Sequence, residues 1–133
     1  MRTTRAFAPV ATAVIAVTAV LLGAAAPAAV AKDGDVRREG SCSPNGSWKV
    51  KASPEDGRIE VEGEVDSNRN GQRWYWSIRH NGPIVAQGQR RTVAPSGSFE
   101  VRRVLANRAG TDTFVFTARR AGTRQVCRGT VRF

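Results

Sequence analysis

The sequence predicts an all-β protein: a single antiparallel two-sheet sandwich of about seven strands, immunoglobulin- or fibronectin-like, with a small β-barrel as the alternative. Three observations carry this prediction. Apolar and polar residues alternate with period two along most of residues 47–133. Turn-forming residues recur roughly every 8–12 positions, the spacing of short sandwich strands. No window of helical length shows a 3.6-residue apolar period, and no internal repeat is present.

Residues 1–31 read as an export signal. Arg2 and Arg5 supply a basic start, residues 6–26 carry no charge, and Ala29-Val30-Ala31 puts small residues at the −3 and −1 positions. Signal peptidase reads that order, so cleavage is expected after Ala31. The apolar stretch is long enough to span a bilayer. Its Ala, Thr, Gly and Pro content and the well-placed cleavage site favour a removable signal over an anchor. No Cys stands at the cleavage point to take a lipid. Residues 32–40, polar and charged, are expected as a flexible N-terminal tail, and residues 41–133 as the sandwich domain.

Within the domain, Trp48, Val50 and Ala52 alternate with Ser47, Lys49 and Lys51, and Ser53-Pro54-Glu55-Asp56-Gly57 ends the run with turn chemistry. Ile59, Val61, Gly63 and Val65 then alternate with Arg58, Glu60, Glu62 and Glu64, the clearest half-buried strand in the chain. After the polar residues 66–71, Trp74, Trp76 and Ile78 alternate with Arg73, Tyr75, Ser77 and Arg79. The parity buries both tryptophans and leaves Tyr75 outside. Asn81-Gly82 marks a hairpin turn. Pro83, which has no N–H for a ladder, lengthens that loop or opens the next strand. Residues 84–93 form the return strand with Gly88 inside it, and residues 95–97 turn the chain into Phe99 and Val101. Phe114, Phe116 and Ala118 make another inward face. Cys127, Gly129, Val131 and Phe133 share one side of the last strand.

Cys42 and Cys127 are the only cysteines, one near each end of the exported chain. In an oxidising compartment a lone pair reads as a single disulfide. Closing so long a loop contributes about 4–5 kcal/mol in the chain-entropy model. The charge is strongly uneven. Of 21 lysines and arginines, Arg2 and Arg5 leave with the signal, so 19 remain against 11 acidic residues, a net of +8. Residues 32–66 hold 6 basic and 9 acidic side chains. Residues 67–133 hold 13 arginines against Glu100 and Asp112 alone. Such polarisation suits a polyanionic partner. The preference for Arg over Lys, beside abundant Ala, Gly and Val, is also what a GC-rich genome writes.

The run Trp48-Lys49-Val50-Lys51-Ala52-Ser53-Pro54-Glu55-Asp56-Gly57-Arg58-Ile59-Glu60-Val61-Glu62, followed by Glu64-Val65-Asp66-Ser67-Asn68, resembles uncharacterised small secreted actinobacterial proteins. The later Pro95-Ser96-Gly97-Ser98-Phe99-Glu100-Val101-Arg102-Arg103 and Gly110-Thr111-Asp112 fit the same pattern. The resemblance covers most of the exported chain. It implies a bacterial, exported, immunoglobulin-like sandwich and brings no catalytic residue with it.

Several motifs invite chemistry and fall short of it. Asp66-Ser67-Asn68-Arg69-Asn70-Gly71 matches the first half of a calcium loop. Its twelfth position is Ser77 in place of a bidentate Glu, and Arg69 adds positive charge. A polar inter-strand loop is the expectation, with no metal. Glu60, Glu62 and Glu64 line one strand face about 7 Å apart. A flat solvated face does not hold one carboxyl protonated as glycoside hydrolysis requires, so these residues are expected to pair with arginines on a neighbouring strand. His80, the only histidine, precedes the Asn81-Gly82 turn and is expected as an exposed turn residue. No Gly-x-Ser-x-Gly elbow accompanies it. Asn45-Gly46-Ser47 is a sequon, without consequence for the bacterial chain that the resemblance implies.

The leading expectation is therefore a secreted or cell-wall-associated binding or adhesion module, with no catalytic residue and no cofactor. Its candidate polyanion- or glycan-binding residues are Arg73, Tyr75, Arg79, Arg90 and Arg91, an Arg-Tyr-Arg row beside two arginines of the return strand. Pairing with the acidic strand is the competing use of those arginines. Arg119, Arg120 and Arg124, around the Ala121-Gly122 turn, form a secondary basic cluster. The expected partner is a cell-wall polymer or another polyanion in preference to nucleic acid. The alternative function is a small-molecule carrier or secreted protein inhibitor, which needs an aromatic cleft between the sheets.

Overall fold

A computed structural model describes residues 34–133, so the expected export signal lies outside the described residues. Eight strands occur in it: β1 (Val36–Ser41), β2 (Ser47–Glu55), β3 (Arg58–Asp66), β4 (Arg73–His80), β5 (Ile84–Arg91), β6 (Ser98–Leu105), β7 (Thr113–Arg120) and β8 (Val126–Arg132). They form two antiparallel four-stranded sheets, ordered β1-β2-β3-β6 and β5-β4-β7-β8. The two sheets are not closed into a barrel. Hairpins link β1 to β2, β2 to β3, β4 to β5 and β7 to β8, while β3–β4, β5–β6 and β6–β7 cross between sheets. With β1 set aside, the other seven strands follow the Greek-key connectivity of an immunoglobulin/fibronectin-like sandwich. No helix among the described residues is long and apolar enough to cross a membrane.

Against the expectation of a flexible tail over residues 32–40, residues 36–40 belong to an eighth strand, while residues 32 and 33 lie outside the described residues. Val36–Ser41 pairs antiparallel with β2, Val36 opposite Ala52 and Ser41 opposite Ser47. Only Val36 and Gly40 of this strand are even half-buried. It is held by ladder hydrogen bonds at a sheet edge, so its side chains needed no apolar alternation.

The period-two pattern works as read. On β3 the buried Ile59, Val61 and Val65 alternate with half-buried glutamates, and on β4 Trp74, Trp76, Ile78 and His80 face inward. These meet Phe114, Phe116 and Ala118 of β7, and Phe99 and Val101 of β6, in one continuous core. Asn81 and Gly82 both take positive φ, 49° and 116°. Pro83 completes a three-residue link closed by the His80 N–H donating to the Pro83 carbonyl at 3.0 Å.

Aromatics reach across the core onto bare backbone. A methyl group at Gly63 would lie 2.5 Å from the Phe116 ring, and one at Gly129 would lie 2.3 Å from the Trp48 indole. The Cys42–Cys127 disulfide joins the chain just after β1 to β8. It thus ties the edge of one sheet to the edge of the other. Reciprocal backbone bonds of 2.9 Å between Ser43 and Val126 continue the seam.

Candidate anion-binding surface

The two outward faces of the sandwich treat charge in opposite ways. On β1-β2-β3-β6 the acidic row is neutralised locally, as expected. Arg102 of β6 reaches Glu62 at 2.9 Å, Glu100 at 3.4 Å and Glu60 at 3.8 Å. Lys51 of β2 reaches Glu62 at 3.3 Å, and Lys49 reaches Glu64 at 3.7 Å. Partial burial raises the Glu60 carboxyl above its ordinary value. A hydrogen bond with Glu62 and the charges of Glu62 and Glu55 push the same way, while Arg102 opposes them.

The register of β5-β4-β7-β8 builds the other face. Residues directly opposite across an antiparallel pair share a face. Arg73 lies opposite Arg91, Tyr75 lies between Gln89 and Arg119, Ser77 between Gln87 and Thr117, and Arg79 between Ile84 and Val115. On the far edge Arg128 lies opposite Thr117, and Arg132 opposite Thr113. The outward positions therefore hold six arginines, Arg73, Arg79, Arg91, Arg119, Arg128 and Arg132, all exposed, and no Asp or Glu. Strand spacing and rise make this a patch of roughly 14 by 20 Å. Tyr75, 47 % exposed, stands near its centre. None of these six arginines makes an ion pair with an acidic side chain of the described residues. Arg79 donates to the Gly82 carbonyl and Arg91 to the Gly71 carbonyl, both at 2.9 Å.

This arrangement regroups the residues singled out in the sequence. Arg73, Tyr75, Arg79 and Arg91 share the face, but Arg90 does not. It lies opposite Trp74, on the inward side of the edge strand β5. The acidic strand does not consume these arginines, because Glu60, Glu62 and Glu64 belong to the other sheet. The secondary cluster divides. Arg119 joins the face beside Tyr75, whereas Arg120, one residue on, has the opposite parity and turns to the end of the sandwich with Arg124. Arg128 and Arg132 were missed, although their alternation with Cys127, Gly129 and Val131 was visible and only lacked a partner strand.

At that end a cleft of about 300 Å³ lies among Pro44, Asn45, Ser67, Arg69, Gln72, Arg120, Thr123, Arg124 and Gln125. It draws on the β1–β2, β3–β4 and β7–β8 connections. Arg69 comes from the half-match to a calcium loop. There the Asp66 carboxylate accepts the Asn68 N–H at 2.9 Å, a turn-making role. No cluster of three or more His, Cys, Asp or Glu among the described residues could hold a metal ion.

His80 departs from its expected exposure. It is buried, its Nε2 lies 2.5 Å from the buried Asp112 carboxylate, and its ring lies against Phe114 at 4.4 Å. It is the fourth inward residue of β4, after Trp74, Trp76 and Ile78, so alternation had more weight than proximity to the turn.

No protein-family model, curated protein or solved structure matches the chain.

Proposed function

We propose that this chain is a secreted, non-catalytic binding or adhesion module that grips an anionic polymer, with cell-wall polymers foremost, through the outward face of β5-β4-β7-β8. One observation carries the reading: six exposed arginines share that face with no Asp or Glu, while the opposite face ion-pairs its acidic row. Arg73 and Arg91 lie directly opposite one another. Like charges so placed oppose folding, and an anion laid across them relieves the repulsion. Tyr75 adds a flat ring on which a sugar can stack, flanked by the hydrogen-bonding Gln87, Gln89, Ser77 and Thr117. The disulfide and the basic, apolar, small-residue order of residues 1–31 support export.

The carrier reading has less support, since Trp74, Trp76, Phe114 and Phe116 are buried in the core, packed against one another's sheets. Sedimentation of the disulfide-bonded protein with cell-wall sacculi, with and without their anionic polymers, tests the proposal. Retention is expected to need the polymers, to fall steeply with salt, and to drop in an Arg79→Ala/Arg128→Ala variant. Arg37→Ala removes a charge from the other sheet and should leave retention unchanged. Equal loss with Arg37→Ala, or no retention at low salt, would overturn it.

A further inference from the structure

We propose that the cleft at the end of the sandwich is a second site, separate from the arginine face, that binds a phosphorylated sugar. Its electrostatics set the first requirement. Arg69, Arg120 and Arg124 line it and no carboxylate does. Three guanidinium groups around one small space match the double charge of a phosphate better than the single charge of a carboxylate.

Gln72 sets the second requirement. Gln72 also lines the cleft, the residue is only 9 % exposed, and its buried Oε1 accepts no hydrogen bond among the described residues. A buried amide oxygen left without a donor is costly. The oxygens of a fully ionised phosphate ester, acceptors only, cannot satisfy it. The ligand must therefore bring an anionic group for the arginines and an O–H or N–H for Gln72. A phosphate carried on a hydroxylated sugar brings both. The volume, about 300 Å³, lies at the lower end for ligand pockets and suits one sugar unit.

The walls are tied before any ligand arrives. Gln125 Nε2 donates to the Asn45 carbonyl at 2.7 Å and to Asn45 Oδ1 at 2.8 Å, joining two of the three loops. Ser67 Oγ donates to the Gly97 carbonyl at 3.0 Å, and Thr123 Oγ1 to the Arg120 carbonyl at 3.1 Å. Such preorganisation spares a ligand the cost of ordering loops. The larger hollow beside Trp48, about 430 Å³, is bordered by Glu39, Glu64 and Asp66 and would repel the same ligand. The cleft also adjoins the face. Ala121 N–H donates to the Arg73 carbonyl at 2.9 Å, and Arg91 binds the Gly71 carbonyl of the β3–β4 connection. The phosphosugar can thus be free or can be the end of a polymer lying on the face.

Amide-resolved NMR titration of the purified protein separates these cases. Glucose 6-phosphate is expected to shift residues 67–72 and 120–125 saturably, and to bind about tenfold more tightly than methyl phosphate, which brings no donor, because of the added bond to Gln72. Arg124→Ala should weaken glucose 6-phosphate about tenfold, and Gln72→Leu should abolish the preference over methyl phosphate. Arg124 is exposed, so its variant keeps the test decisive if Gln72→Leu unfolds. Arg79→Ala/Arg128→Ala should leave the cleft titration intact, whatever becomes of the face. A glycerol-phosphate oligomer with a glucosyl end that shifts the cleft and face together identifies a polymer end. Cleft shifts with glucose 6-phosphate alone identify the free sugar phosphate. Shifts spread evenly over the face arginines, no saturable shift, or indifference to Arg124→Ala would overturn the proposal.

Discussion

At the scale of single residues, His80 and Asp112 form a polar pair inside an apolar core. The pair lies at 2.5 Å, and the second oxygen of Asp112 accepts the Arg108 N–H at 3.1 Å. Removing His80 strips a buried carboxylate of one of its partners. Leaving a buried polar group short of a hydrogen-bond partner costs about 1–3 kcal/mol, so His80→Ala should move the urea midpoint down. Glu60 makes an opposite prediction. Its carboxyl titrates above its ordinary value of 4.5 in the folded protein, so the folded state holds that proton more tightly than the unfolded one. Stability linked to it is present at low pH and lost as pH rises through the folded value. Glu60→Gln should therefore raise the melting temperature at neutral pH, with the gain shrinking as pH falls toward and below the ordinary value. Arg73 lies opposite Arg91 and no acidic side chain of the described residues pairs with it. Arg73→Gln should stabilise the free protein at low salt and weaken sacculus retention together, the sign of a residue kept for binding at some cost to folding.

At the scale of elements, the strands were legible wherever one face was buried. The pattern of β3 and the inward parity of β4 followed from alternation alone, because a strand with one face in a core must put its apolar residues there. The exception was β1, whose residues are nearly all exposed and whose place is set by backbone pairing. Glycines within strands had no visible reason in the sequence. Gly63 makes room for Phe116 and Gly129 for Trp48, each on the facing sheet. Gly63→Ala forces a methyl group into an aromatic ring and should cost about 1–3 kcal/mol by overpacking. Chemical denaturation would show whether Phe116→Leu in the same chain recovers part of the loss. The candidate site was half legible for the same reason. Arg73, Tyr75, Arg79 and Arg91 share a face by parity and register, but Arg90 and Arg120 differ by one residue from neighbours on that face and so point elsewhere.

At the scale of the whole molecule, charge polarity along the chain becomes polarity between faces. The acid-rich first half supplies three strands of one sheet, and the arginine-rich second half supplies the other sheet and β6. Association with a polyanion should therefore be oriented, with retention falling as salt shortens the screening length below the patch width. The disulfide closes this arrangement at the seam between the two edges, spanning 85 residues. Cys42→Ser/Cys127→Ser should lose about 4–5 kcal/mol in the chain-entropy model. If the fold survives, the arginine face should still bind, because its six arginines come from strands whose pairings do not pass through the bridge.

The sequence by itself determined the fold class, the inward parity of most strands, the pairing of its two cysteines and the uneven placement of its arginines. Each of these is written in local periodicity or in simple counts. Only the tertiary structure decided which strands are neighbours, and hence which charges meet. Glu62 finds Lys51 and Arg102 from two different strands, while Arg73 meets another arginine. Arg69, Gln72, Arg120 and Arg124 gather around one cleft although 55 positions separate the first from the last. Alternation states which way a side chain points, and strand order and register, set by burying both sheets' apolar faces at once, state what it points beside.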